Sequence, residues 1–146
     1  MGKVEQIIVE WLRAKIKESK TNGFVFGMSG GIDSSVVAVL CKKALPDNCL
    51  AVMLPCNSHE LDLEHAKLVA EKFDINYKVV NIKGPFECLL KDFENSAKGI
   101  EGNDKLATAN IKPRLRMTSL YYFANKLNSL VPGTDNKTES LVGYFT

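Results

Sequence analysis

The sequence predicts an α/β fold, a three-layer sandwich in which helices cover both faces of a parallel sheet. Three observations carry that expectation. Short β-branched and aromatic runs alternate with longer stretches whose apolar residues recur at helical spacing. The first strand-like run breaks into Ser-Gly-Gly and resumes at once as a helical one. At 146 residues, with 45% hydrophobic and 25% charged residues, the chain has the size and composition of one globular domain with a real core.

The elements follow in order. Val4, Ile7, Ile8, Trp11, Leu12 and Ile16 mark an amphipathic first helix with lysines on its other side. Phe24 to Met28 is a buried strand, and from Ser34 to about Ala44 the residues Val36, Val37, Leu40 and Ala44 fall at helical spacing. Leu50 to Leu54 is a second apolar run. Leu61, Leu63, Ala66, Leu68, Val69, Ala70 and Phe73 then suit a helix. Tyr77 to Ile82 reads as a third strand, Pro85 to Asn95 as a helix and Ser96 to Asp104 as a polar loop. A long helix runs to about Asn128, Ser129 to Val131 makes a fourth strand, and a last helix starts near Asn136. No internal repeat, low-complexity tract or linker interrupts this order, so residues 1–146 read as a single domain.

Composition excludes several classes of partner. A net charge of +2 is too small to argue for nucleic acid or an anionic membrane. No apolar run has the length of a membrane span, and the amphipathic N-terminus lacks the apolar core of a signal peptide, so the chain is expected in the cytoplasm. Cys41, Cys49, Cys56 and Cys88 form no CxxC pair, and reduced thiols are the default reading. Cys56 and His59 have no matching second pair to complete a zinc site.

The stretch FVFGMSGGIDSSVVAVL, Phe24 to Leu40, carries the first chemical signal. A strand, a glycine turn and a helix N-terminus aim free amides and the positive end of a helix dipole at one point, which favours an anion. The same residues also suit a plain strand-to-helix connection with Asp33 or Ser34 as the cap. The hexamer Ser-Gly-Gly-Ile-Asp-Ser, however, resembles the SGGxDS pyrophosphate loop of the ATP pyrophosphatases, which cleave ATP between the α and β phosphates. No Gly-Lys-Ser or Gly-Lys-Thr follows, so it is not a Walker A loop. This resemblance implies the adenine nucleotide alpha hydrolase-like (Rossmann-like) fold.

Two further stretches narrow the family. NIKPRLRMTSLYY, Asn110 to Tyr122, and PGTDNKTESLVGYFT, Pro132 to Thr146, resemble the matching segments of ammonia-dependent NAD synthetase, in the family's order. Each also has a structural reading. Asn110 can cap a helix with Pro113 in its first turn. Asn136 with Glu139 suits a capping box. Arg114 and Tyr121, seven apart, share a helix face on which a solvated arginine and a half-buried tyrosine are ordinary.

The resemblance implies an enzyme, a ligase that amidates deamido-NAD with ammonia, using ATP and releasing AMP and pyrophosphate through an acyl adenylate. It implies that Ser29, Gly30, Gly31 and Ser34 hold the β and γ phosphates. Asp33 and Glu139 would be catalytic carboxylates binding Mg²⁺, since Asp33 beside polyphosphate needs a cation between them. Thr134 would lie near ATP, and Asn110, Arg114 and Tyr121 would contact deamido-NAD. A homodimer is implied, with substrate bound between subunits. PCNSHELDLEHA, Pro55 to Ala66, lies on the adenine side and matches loosely, and Pro113 stands where the family has a small residue. The family also continues past the position of Thr146 with a glycine-rich loop, a lysine and a threonine that close over the triphosphate, so this chain is expected to lack that segment. The alternatives are another pyrophosphatase, a tRNA-modifying ligase or a thiolase, and a nucleotide-binding module without turnover.

Overall fold

The computed structural model describes residues 2–134 and 141. The elements run in the order α1 (Lys3–Ser19), β1 (Gly23–Gly27), α2 (Ile32–Ala44), β2 (Cys49–Met53), α3 (Glu60–Lys72), β3 (Tyr77–Val79), α4 (Lys83–Ser96), α5 (Asp104–Leu127) and β4 (Ser129–Leu130). The helix expected near Asn136 lies outside the described residues. Every strand pairing is parallel, and the order across the sheet is β3-β2-β1-β4. The expected α/β sandwich is what this arrangement forms.

Successive side chains of a strand point to opposite faces, and the two cores follow that alternation. Phe24, Phe26, Ala51 and Met53 face one way and pack with residues of α1, α2 and α3. Val25 and Val52 face the other way and pack with Phe86 of α4 and Ala124 of α5. β1 and β2 are covered on both faces, so neither has a polar side. That is why each reads as an unbroken apolar run.

Helix α1 departs from its expected stripe. It buries Val9 and Leu12 and packs Ile16 on the core, while Val4, Ile7, Ile8 and Trp11 stay exposed. The helix carries more apolar residues than one buried face can hold. Its seat is fixed by Arg13, whose Nε donates to the Ala44 carbonyl at 2.9 Å and whose Nη2 donates to the Lys43 carbonyl at 3.1 Å. These carbonyls end α2 and have no partner further along the helix.

Two boundaries and one helix cap differ from the sequence reading. α2 starts at Ile32 with Gly31 as its N-cap, so Asp33 lies in the first turn and neither it nor Ser34 is the cap. α5 starts at Asp104, where the polar loop is expected to end, but its cap differs: the side chain of Asn103 accepts from the Leu106 amide at 3.0 Å. Asn110 is therefore inside the helix rather than its cap, and Pro113 sits in the interior, where it has no N–H to offer the preceding turn. β3 ends at Val79, three residues short of Ile82. The Ile82 amide still reaches the Pro55 carbonyl at 3.1 Å, but Asn81 accepts from the Lys83 amide at 2.9 Å and turns the chain into α4. Among the described residues no helix is long and apolar enough to cross a membrane.

The topology also locates the site. The chain steps outward from β1 to β2 to β3, then returns to place β4 on the other flank of β1. Neighbouring connections leave in opposite directions there, and a crevice opens beyond the C-terminal ends of β1 and β4.

Candidate active site at the switch point of the sheet

The Ser29–Ser34 segment leaves the end of β1 and becomes the first turn of α2. Its hydroxyls brace it from within. Ser34 Oγ donates to the Gly31 carbonyl at 2.9 Å and lies 3.0 Å from Ser29 Oγ, which in turn accepts from the Gly31 amide at 3.3 Å. A hydroxyl has one proton. Ser34 has given its own to Gly31, so Ser29 must donate to Ser34, and both side-chain protons are used inside the loop. Ser34 is only 6% exposed, and its Oγ also accepts from the Ser29 amide at 3.3 Å. Donors for an anion are thus the backbone amides at the start of α2, together with its dipole.

Beside this loop is a cavity of about 450 Å³. Its walls come from the end of β1 (Met28, Ser29), the end of β2 (Leu54, Pro55), and the segment after β4 (Pro132 to Thr134). Ser58 and Asp62 close one side, and Pro113, Arg116 and Tyr121 of α5 close another. Loop and α3 meet closely: Gly30 has φ +87°, and a Cβ placed on it would stand 2.3 Å from the Asp62 carbonyl oxygen.

The expected site residues divide by place. Ser29, Ser34, Thr134 and Tyr121 line the cavity. Gly30 and Gly31 form the turn beside it, and Asp33 is exposed on the first turn of α2. Asn110 and Arg114 are not part of the cavity wall. At about 100° per residue they share a stripe of α5 with Met117 and Tyr121, two residues of the cavity wall, and Arg114 Nη1 donates to the Asn110 carbonyl at 2.9 Å. Glu139 lies outside the described residues.

The sequence reading passed over Arg116 and Asp62. Arg116 had a legible signal. It falls on the same helical stripe as Leu120 and Phe123, both packed against the core, and a charge in an apolar stripe asks for a reason. Asp62 had none, because only the tertiary approach of α3 brings it to the cavity. Among the described residues no group of three or more His, Cys, Asp or Glu could hold a metal by itself. Magnesium does not need one, since one or two carboxylates and the phosphates of a nucleotide suffice.

Comparison with known proteins places this geometry. The family model for NAD synthase matches residues 4–146. The NH(3)-dependent NAD(+) synthetase of Carboxydothermus hydrogenoformans is 48% identical over 139 residues, covering 95% of this chain and 56% of that protein. The structure of NH3-dependent NAD synthetase from Campylobacter jejuni superposes with a TM-score of 0.88 at 35% identity, over 99% of this chain and 60% of that one. NMN synthetase from Francisella tularensis also superposes with a TM-score of 0.88, at 33% identity, over 97% of this chain and 57% of that one. The chain therefore spans little more than half the length of these relatives.

Proposed function

The chain belongs to the NAD synthase family, and on that premise we propose that it binds ATP at the Ser29–Ser34 loop and amidates deamido-NAD with ammonia. The observation that carries this is the loop itself, opening into a cavity at the switch point that Thr134 also lines.

A carboxylate resists ammonia because it is anionic and would have to expel oxide or hydroxide. In the first step the carboxylate oxygen of deamido-NAD attacks the α-phosphorus. The bond from that phosphorus to the bridging oxygen breaks, and pyrophosphate leaves with the electron pair. In the second step ammonia attacks the acyl carbon, AMP leaves with the electrons of the acyl–oxygen bond, and the nitrogen releases a proton to solvent. The loop's amides and the α2 dipole hold the β and γ phosphates and steady the charge that develops as they depart. Gly30 and Gly31 let that backbone come close, while Ser29 and Ser34 keep the turn in shape.

Asp33 on the first turn of α2 suits an oxygen ligand for Mg²⁺, with Glu139 as the second carboxylate. Bound there, the ion would neutralise polyphosphate charge. Asn110, Arg114 and Tyr121 would receive deamido-NAD along their shared stripe of α5. We assign the chain to a single ATP pyrophosphatase domain acting in the cytoplasm, a compartment that suits its free cysteines. A twofold homodimer through α5 completes the reading.

A second substrate deserves a place because NMN synthetase superposes as well as NAD synthetase does. The same chemistry on a mononucleotide carboxylate would give NMN. The test incubates the protein with ATP, ammonia and either deamido-NAD or the mononucleotide, then resolves the products. AMP, pyrophosphate and NAD are expected from the dinucleotide. Release of ADP would overturn the pyrophosphatase reading, and turnover of the mononucleotide alone would replace the substrate.

A further inference from the structure

Among the described residues Arg116 is the one cation in the cavity wall, and nothing in the assigned chemistry uses it. It stands in the middle of the inward face of α5, on the stripe of Leu120 and Phe123, where burial beside apolar groups disfavours a charge unless something holds it. The protein holds it by one contact: Nε donates to the Leu54 carbonyl at the end of β2, at 3.4 Å. Among the described residues it has no carboxylate partner, although Asp62 lines the same cavity. No buried side-chain nitrogen or oxygen among the described residues is left without a partner. The two terminal Nη groups are therefore not sealed in the core and open onto the cavity. A guanidinium anchored by Nε, with its paired Nη donors free, is prepared to receive an oxyanion through two parallel hydrogen bonds.

From this we infer that Arg116 binds the α-phosphate of the nucleotide, an assignment that rests on the ATP reading above. The β and γ phosphates belong at the α2 turn on one wall. α5 packs on the other face of the sheet from α2, and Arg116 sits over the end of β2, so a nucleotide crossing the cavity presents its α-phosphate to the guanidinium. That phosphate is attacked when the adenylate forms and remains on AMP afterwards. Arg116 thus grips the group common to ATP, adenylate and AMP, and its charge opposes the negative charge gathering on the phosphoryl oxygens during attack.

The test uses binding, with AMP and adenosine as probes that differ only in the phosphate. Calorimetry on the protein and on Arg116→Gln should show adenosine affinity unchanged and AMP affinity reduced about ten- to a hundredfold, the range for losing charge-assisted hydrogen bonds. Arg116→Lys keeps a charge but not the fork, should lose AMP affinity by less, and serves if the glutamine variant fails to fold. A merely structural arginine would weaken both ligands together, and that result overturns the assignment. Unchanged AMP affinity with selectively weakened deamido-NAD relative to NAD would give Arg116 to the substrate carboxylate and also overturn it. If the unaltered protein binds neither AMP nor adenosine, the ATP reading fails first.

Discussion

Gly30 stands so close to Asp62 that a Cβ on the glycine would lie 2.3 Å from the Asp62 carbonyl oxygen. The obstacle is backbone of α3 and cannot rotate away. The φ of +87° at Gly30 adds a second obstacle, since an L side chain is strained there by about 1–2 kcal/mol. We expect Gly30→Ala to destabilise the fold by about 1–3 kcal/mol and to weaken ATP binding by about tenfold or more. Gly31 has φ −75° and only a 3.4 Å neighbour in Ser29 Oγ, so Gly31→Ala should keep stability within about 0.5 kcal/mol. Thermal melts and calorimetry on both variants check this, and equal stability losses would show that the loop does not depend on its approach to α3.

Arg13 joins α1 to α2 through two hydrogen bonds to the last carbonyls of α2. A cation at a helix C-terminus also meets the negative end of the dipole. Arg13→Ala should cost about 1–2 kcal/mol in urea unfolding, and Arg13→Lys should recover only part, because a lysine cannot span both carbonyls with a planar fork. Full recovery by lysine would leave charge alone as the cause.

Much of the fold is legible because β1 and β2 are buried on both faces and therefore spell themselves as apolar runs between helical periods. The loop is legible because Ser-Gly-Gly-Ile-Asp-Ser combines backbone freedom with a helix start. Where reading failed, two local signals competed. Asn110 with Pro113 looks like a helix beginning, yet Asn103 and Asp104 supply the cap and first-turn acid that begin it earlier. Arg114 attracts notice through its motif, while Arg116, two residues and about 200° further round α5, is the one that reaches the cavity. The nearness of Gly30 to Asp62 belongs to no local pattern.

Cys41 and Cys49 give the stability a defined pH dependence. Burial pushes both thiols up, Cys49 from 9.0 to about 12 against the smaller opposing pull of Lys42, and Cys41 further with Cys49 adding to it. The folded state then keeps protons that the unfolded chain releases, so this contribution is full below the ordinary thiol value and declines as pH rises through the folded one. Between about pH 9 and 12, unfolding free energy should fall more steeply for the protein than for a Cys41→Ala, Cys49→Ala double variant. Lysine and tyrosine titrations are common to both and cancel in the comparison. Parallel slopes would dismiss the thiols as the source.

The proposed dimer makes the last prediction. α5 packs its inward side on β1 and α4, yet Met117, Tyr121 and Tyr122 remain 53%, 51% and 62% exposed on its other sides. Apolar and aromatic surface gathered on one helix is the kind that a partner covers. Tyr121 also lines the cavity, so a second copy seated there would add a wall to the site where deamido-NAD is proposed to lie. Sedimentation at high micromolar concentration should show a dimer. Met117→Glu should shift it to monomer, because a carboxylate buried between subunits without a partner opposes association. α1 offers a competing face, with Ile7 and Trp11 each 57% exposed. Dissociation by Trp11→Glu but not by Met117→Glu would move the interface to α1, and a protein that is monomeric throughout would remove the dimer from the proposal.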